Sequence, residues 1–369
     1  MKKRFIISGG GTGGHIFPAI AIANKLKQLI PNADILFIGA NGKMEMKRVP
    51  EAGYPIEGLD IYGIRRDFSP SGILRNLKLP FILAKSLSRV KKIIHDFNPD
   101  VVIGVGGFAS GPALRAAASL NIPTLIQEQN SYPGITNKLL AKTVSKICVA
   151  YTGLERYFPA EKIVLTGNPV REMILNLKDK SPEAYQLFSL SPEKRTILVV
   201  GGSLGARTIN ECFVTGIDEF TKLNIQLIWQ TGELFYNTIS PELLDKQNEN
   251  IKIMPFIREM DKAYEVADII ISRAGAIAIS ELTIVGKPTI LVPFPFAAED
   301  HQTKNAQALV HQNAALLIPD EDAKTKLLPL LYELIEDQEL QTTLSVNIKT
   351  LAQPEAIDKI IDSINSMIQ

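Results

Sequence analysis

Two α/β domains in tandem, each a parallel sheet covered by helices, are what this sequence predicts. Short apolar runs alternate with segments of helical periodicity along almost the whole chain, the pattern of repeated strand–helix–strand units. Glycine-rich turns follow strand-like runs at 9–15, 104–112, 201–206 and 272–281. The opening "RFIISGGGTGGH" also restarts, in architecture though not in letters, at "RTILVVGGSLGARTIN". Length agrees with this: 369 residues, 46% hydrophobic and 21% charged, are ample for two cores.

Arg4–Ser8 reads as a short buried strand and Pro18–Leu29 as a helix with apolar residues at helical spacing. Between them Gly9, Gly11 and Gly14 stand in the G-x-G-x-x-G spacing. Glycine lets backbone N–H groups approach an anion, and the following helix N-terminus favours negative charge. A tight turn without any ligand satisfies the same spacing. The second strand, "DILFIG", ends in Gly39, Ala40, Asn41 and Gly42, with no carboxylate for a ribose, which speaks against a nicotinamide dinucleotide. His15 has no part in that fingerprint. A neutral imidazole at a helix N-terminus, its cationic form disfavoured by the dipole, suits a general base; a lone histidine more often caps or packs.

Further strands follow at "VVIGVG", "PTLIQE", "KICVA" and "KIVLTG". Gly-Asn-Pro within Thr166–Arg171 ends the first series, because Pro169 pushes Asn168 out of helical geometry. The second series is "RTILVV", "IQLIWQTG", "IKIMPF", "DIIISRAG", "KPTILVPFP" and "ALLIP", with a helical pattern after about Lys324. The expected division is 1–168, 169–345 and a C-terminal helical segment 346–369 that packs back on the first domain.

Two cysteines, Cys148 and Cys212, lie far apart in apolar contexts and form neither a metal spacing nor a disulfide framework, which fits a reducing compartment. No apolar stretch reaches the roughly 18 residues of a membrane span, and no secretory leader is expected before the first strand. Net charge is +1, and no nucleic-acid partner is expected. Locally the balance differs. Arg65, Arg66, Arg75, Lys78, Lys85, Arg89, Lys91 and Lys92 face Asp67 alone over residues 65–92.

Binding loops in parallel sheets sit at the carboxyl ends of the strands. Four glycine turns there favour a shared polyanionic ligand, although each alone is an ordinary βα connection. In the last, the helix from Ala276 aims N–H groups at a diphosphate while Glu281 accepts from ribose hydroxyls; a solvent-facing helix acid is the plainer reading of Glu281.

These segments, "GGGTGGHIFPAIAIA", "GVGGFASGPALRAA", "EQNSYPGITNKLLAK", "GNPVR", "VVGGSLGAR", "SRAGAIAISEL" and "EDHQTKNA", follow one another in a way that resembles the MurG glycosyltransferases, from Arg4 to about Ala315. The resemblance implies a GT-B fold, two Rossmann-like domains facing across a cleft. It implies UDP-N-acetylglucosamine as donor and undecaprenyl-pyrophosphoryl-MurNAc-pentapeptide (lipid I) as acceptor, in peptidoglycan synthesis beside other cell-wall and division proteins. Donor contacts carried over by motif are Thr12, Gly13, Gly14 and Asn130, with Arg171 and Ser203 toward the diphosphate. Ile257 would meet uracil, Ala276, Ile277, Ala278, Ile279, Ser280 and Glu281 would line the diphosphate and ribose, and Gln302 would read the sugar hydroxyls. Gly106, Gly107 and Ser110 form the acceptor-side loop. Ala278 stands where threonine is frequent in the family, and His301 where some members carry glutamine. A UDP-N-acetylglucosamine 2-epimerase or another GT-B enzyme is the alternative.

The family's β linkage from an α donor implies inversion in one displacement, with His15 the base for the acceptor's C4 hydroxyl. Glu281, Glu299 and Asp300 are the carboxylates beside glycine loops, and no bound metal or other cofactor is expected. Helix N-termini and Arg171 stabilise the diphosphate instead. A lipid acceptor also requires docking on an anionic membrane. Ile73, Leu74, Leu77, Leu79, Phe81 and Ile82 among Arg75, Lys78 and Lys85 are the expected patch, on the cytoplasmic face; an amphipathic helix turned to the core explains the same letters.

Overall fold

The structure is a computed structural model and describes residues 2–63, 77, 79–202, 205–223 and 225–368. It divides into two units, Met1–Val170 with Glu355–Gln369, and Arg171–Pro354.

In the first unit, β1 (Arg4–Gly9), β2 (Asp34–Ala40), β3 (Ile56–Leu59), β4 (Val101–Gly106), β5 (Thr124–Glu128), β6 (Lys146–Val149) and β7 (Ile163–Leu165) form one parallel sheet. Its order is β3-β2-β1-β4-β5-β6-β7. Helices α1 (Gly13–Leu29), α2 (Glu45–Glu51), α3 (Leu79–Phe97), α4 (Ser110–Ser119) and α5 (Ile135–Leu140) connect these strands. Residues β4 and β5 are buried end to end, as in a sheet covered on both faces. Alternation along β1 sends Ile6 to one face, with Val90, Ile94, Ala113 and Leu114 of α3 and α4. Phe5 and Ile7 go to the other, with Ala19, Ile22 and Leu26 of α1.

That second face is completed by the far end of the chain. Ile360, Ile361 and Ile364 of the C-terminal helix Ala356–Asn365 are buried in it. Lys25 of α1 pairs with Asp358 at 2.8 Å, and Lys3 donates to the Ile368 carbonyl at 3.1 Å. The expected boundary at 345/346 falls inside a helix, Gln338–Thr350, which stays with the second unit; the units part at Pro354/Glu355, where proline interrupts the helical pattern.

The second unit repeats the plan. Strands β8 (Arg195–Val200), β9 (Ile225–Gln230), β10 (Ile251–Met254), β11 (Ile269–Ser272), β12 (Thr289–Leu291) and β13 (Leu316–Leu317) run parallel in the order β10-β9-β8-β11-β12-β13. Helices α6 (Arg207–Lys222) and α7 (Ala323–Glu336) cover one face, where Phe213, Phe220, Leu327 and Leu331 pack around Trp229. On the other, Leu198, Ile228 and Ile270 meet Tyr264, Leu282 and Leu309. Both sheets reverse their strand order once, between β1 and β4 and between β8 and β11. Ligands of open parallel sheets bind outside the carboxyl ends of strands at such a switch point. Four glycine turns stand there.

Candidate functional site

At the first switch point the β1 turn and the β4 turn touch. The Gly10 N–H donates to the Gly106 carbonyl at 3.3 Å. A Cβ on Gly107, whose φ is +87°, would fall 2.4 Å from the Gly10 carbonyl oxygen, so only glycine permits this approach. Helix α1 begins at Gly13, earlier than the expected Pro18, which places His15 inside its first turn. No acidic side chain occupies that turn, and Thr12 makes no side-chain cap. The N–H groups of Gly13 and Gly14 precede the first helical acceptors and leave an open, electropositive end. Thr12 and Gly14 are exposed, and Gly13 and His15 are half-buried.

His15 is held by its Nδ1, 3.0 Å from the Gly10 carbonyl and 3.3 Å from the Thr12 hydroxyl. A carbonyl only accepts, so this bond calls for the proton on Nδ1, which in the neutral ring leaves the lone pair on Nε2. That is the tautomer a base needs.

The β5 turn is organised by Glu128, which sequence reasoning passes over. Its side chain is buried and takes the N–H of Asn130 at 2.9 Å on one oxygen and the Asn137 amide at 2.8 Å on the other. Asn130 also gives its own side-chain amide to Glu128 at 3.2 Å. Ser110, in the β4 turn, is fully buried and its hydroxyl donates to the Gly107 carbonyl at 2.9 Å. It shapes the turn and presents no hydroxyl. A second missed residue is Glu45 of α2, buried beneath the β1 turn and taking the Gly11 N–H at 2.9 Å. The carboxylate that β2 lacks at its end thus arrives from α2, bonded to backbone.

At the second switch point, helix α8 (Ala276–Val285) starts at Gly275 with neither a side-chain cap nor an acid in its first turn. Its leading N–H groups, at Ala276, Ile277 and Ala278, make an uncapped, electropositive helix end. Ile279 is buried in the core, and the Ser280 hydroxyl turns back to the Ala276 carbonyl at 3.0 Å. Arg171 and Glu281 are brought to each other. Nε and Nη2 of Arg171 donate to the two Glu281 oxygens, each at 2.7 Å, in a bidentate pair. Burial opposes the Arg171 charge, but the Glu281 bond outweighs it and holds the guanidinium above its ordinary range. Burial, then the Glu281 charge, pushes the neighbouring Tyr264 phenol up. Glu281 is therefore a buried, paired carboxylate and not a solvent-facing acid.

Gln230 ties the β8 turn to the loop after β10: its amide donates to the Gly202 carbonyl at 3.2 Å and its oxygen takes the Ile257 N–H at 2.9 Å. The Ile257 side chain is buried in the core, so a base would meet its backbone rather than its side chain. Ser203 lies outside the described residues. Helix α9 (His301–Val310) begins with His301, and Gln302 accepts the Phe294 N–H at 2.9 Å, leaving its amide protons for a hydroxyl. Sequence reasoning, which counts no Asp-x-Asp pair, overlooks Asp320 and Asp322; both are engaged within the protein, Asp320 accepting from Arg273 and from Thr208, and Asp322 from Lys326. Among the described residues no three His, Cys, Asp or Glu side chains gather as metal ligands.

Two family profiles match the chain: the glycosyltransferase family 28 N-terminal domain over residues 5–149 and the family 28 C-terminal domain over 196–360. The chain is 54% identical to the UDP-N-acetylglucosamine--N-acetylmuramyl-(pentapeptide) pyrophosphoryl-undecaprenol N-acetylglucosamine transferase of Parabacteroides distasonis, over 100% of this chain and 99% of that one. It is 51% identical to the protein of the same name from Flavobacterium psychrophilum, over 100% and 98%. Among solved structures, MurG of Acinetobacter baumannii superposes with a TM-score of 0.80 at 31% identity, covering 99% of this chain and all of that one. A solved UDP-N-acetylglucosamine 2-epimerase, at 15% identity and a TM-score of 0.61 over 99% of this chain and 96% of that one, shares the fold alone. With both family profiles matched and relatives about half identical over nearly the full length of both partners, the chain belongs to glycosyltransferase family 28, among its MurG members.

Proposed function

We propose that the protein transfers N-acetylglucosamine from UDP-N-acetylglucosamine to the C4 hydroxyl of undecaprenyl-pyrophosphoryl-MurNAc-pentapeptide, giving lipid II and UDP. The observation that carries this is identity of about one half, end to end, with transferases whose names specify that donor and acceptor. In the step itself the C4 oxygen forms a bond to the anomeric carbon as the bond from that carbon to the UDP oxygen breaks. The hydroxyl proton passes to Nε2 of His15, the electron pair leaves with UDP, and an α donor becomes a β linkage. Charge growing on the diphosphate is met by N–H groups at the open end of α8, an arrangement that works without a metal. Arg171, paired with Glu281 of that helix, orders the donor, and Gln302 reads the sugar. Thr12, Gly13, Gly14 and the Asn130 loop face the reacting sugars.

Purified protein incubated with labelled UDP-N-acetylglucosamine and a short-chain lipid I decides the matter. Lipid-linked disaccharide and UDP are expected in equal amounts, with or without chelator. Conversion of the donor to UDP-N-acetylmannosamine without acceptor, or tight donor binding with no disaccharide, would sink the proposal.

The acceptor's polyprenyl tail stays in a bilayer, and no helix among the described residues is long and apolar enough to cross one. For such an acceptor we propose a peripheral position on the cytoplasmic face. Leu77 and Phe81 support this, being 72% and 77% exposed, and Lys85 beside them is exposed too. Leu79 and Ile82 are half-buried. Ile73, Leu74, Arg75 and Lys78 lie outside the described residues. Sedimentation with anionic vesicles tests it: Phe81→Asp with Lys85→Glu should release the protein at low salt.

A further inference from the structure

We propose that Glu45 is a positioning residue for His15 and acts on it through a single peptide group, the link between Gly10 and Gly11. The proposal rests on His15 serving as the base. A trans peptide points its carbonyl and its N–H in opposite directions. The Gly10 carbonyl accepts from Nδ1 of His15 at 3.0 Å. The N–H of the same peptide, on Gly11, donates to Oε2 of Glu45 at 2.9 Å. Carboxylate, peptide and imidazole therefore form one chain in which every donor points the same way. Bonds in such a chain polarise one another. Negative charge on Glu45 draws the Gly11 proton, enriches the Gly10 oxygen, and makes that oxygen a better partner for the Nδ1 proton. The effect is that of a carboxylate placed directly behind a catalytic imidazole. Nδ1 keeps its proton, Nε2 keeps its lone pair, and the ring's positive charge is eased once Nε2 has taken a proton.

Glu45 is built into the place where it can do this. Its side chain is 1% exposed, and its other oxygen takes the Ala40 N–H at 3.0 Å, so both ends of the carboxylate are fixed. Burying a carboxylate is unfavourable, and an amide or apolar side chain would fill the same space at lower cost. The backbone is cut away around it. A Cβ on Gly10 would fall 2.2 Å from the Glu45 carboxylate, and one on Gly39 would fall 2.6 Å from its Cγ. A Cβ on Gly106 would fall 2.8 Å from Nε2 of His15. No residue of 13–17 or 106–110 is ionisable except His15 itself. The other charged residues of α2, Lys47, Arg48 and Glu51, pair with one another at the surface. Glu45 is the charge those elements bring to the loop.

Nitrogen-15 labelling of the four histidines gives a readout that a merely structural role would not move. The His15 signals are assigned by their loss in His15→Ala. In the parent, His15 should show the Nδ1–H tautomer; the Nε2–H tautomer overturns the proposal with no variant needed. Glu45→Gln keeps the shape and removes the charge. It should weaken the tautomer preference, lower the His15 titration midpoint, and reduce kcat roughly tenfold or more at an unchanged donor KM. Glu45→Asp, charged but one methylene short, should fall between. A folded Glu45→Gln whose His15 titration and kcat match the parent overturns the proposal. Full turnover in His15→Ala would instead remove the base assignment, while coupling of Glu45 to His15 would still be read in the nitrogen shifts.

Discussion

Removing the imidazole of His15 takes away a group whose contribution peaks in the transition state. His15→Ala should lower kcat by roughly two orders of magnitude or more and leave the donor KM nearly unchanged, as steady-state kinetics will read. Equal loss of UDP binding would make His15 a donor ligand instead. Arg171 asks a different question, because the Glu281 side chain it covers is only 6% exposed while its own is 44% exposed. Arg171→Ala strands a buried carboxylate and should cost about 1–3 kcal/mol in urea unfolding, with solvent at the arginine side limiting the loss. Glu281→Ala should raise the donor KM, and Arg171→Lys should recover stability better than donor affinity, since lysine cannot fork. Cys148 gives a pH signature. Burial pushes its thiol from 9.0 up to about 11, despite the Ser363 hydroxyl of the C-terminal helix. Between those values the folded chain keeps a proton that the unfolded chain has released. Stability from this group is complete below pH 9 and is lost as pH rises through 11. Denaturant titrations of the parent and Cys148→Ala across that window should diverge.

Some glycines of the switch-point turns have no room for a side chain, whereas Gly11, Gly202 and Gly275 stand in open space. Gly106→Ala would have to hold φ at +101° with a Cβ against the His15 ring, so it should lose activity out of proportion to stability. Gly205→Ala, with φ at +79° and a Cβ 2.3 Å from the Thr231 carbonyl, should lose stability first. Comparing kcat with thermal midpoints separates the two. These same turns explain what is legible in the sequence. A glycine between a strand and a helix answers a local demand, so the loops at 9–15, 104–112, 201–206 and 272–281 can be read from letters alone. Local letters also mislead: Pro18 resembles a helix start, yet α1 already begins at Gly13 and carries the proline inside it. The bonds that give the site its electrostatics are not local. Glu45 reaches Gly11 across 34 positions, and Arg171 reaches Glu281 across 110. Neither partner can be named until the strands have been ordered. At Ile257 and Ser110 sequence spacing finds the loop but not which way the side chain turns, and both side chains are buried.

At the scale of the whole molecule, the chain leaves its first unit at Val170 and returns to it at Glu355. A protein ending at Pro354 should keep the second unit's amide protection in hydrogen exchange and lose it around α1 and β6, where Ile360, Ile361 and Ile364 are buried. Retained protection there would show that the helix is an ornament. If it is not, the order of manufacture is inverted. A ribosome adding roughly 5–20 residues each second finishes everything the second unit needs before it delivers the last helix. The half that is translated first is the half completed last. From Arg171 to the end of the chain, roughly 10–40 seconds at that rate, a nascent chain holds a first sheet with one apolar face open, and a chaperone that recognises newborn chains of this protein should find its target near the amino terminus.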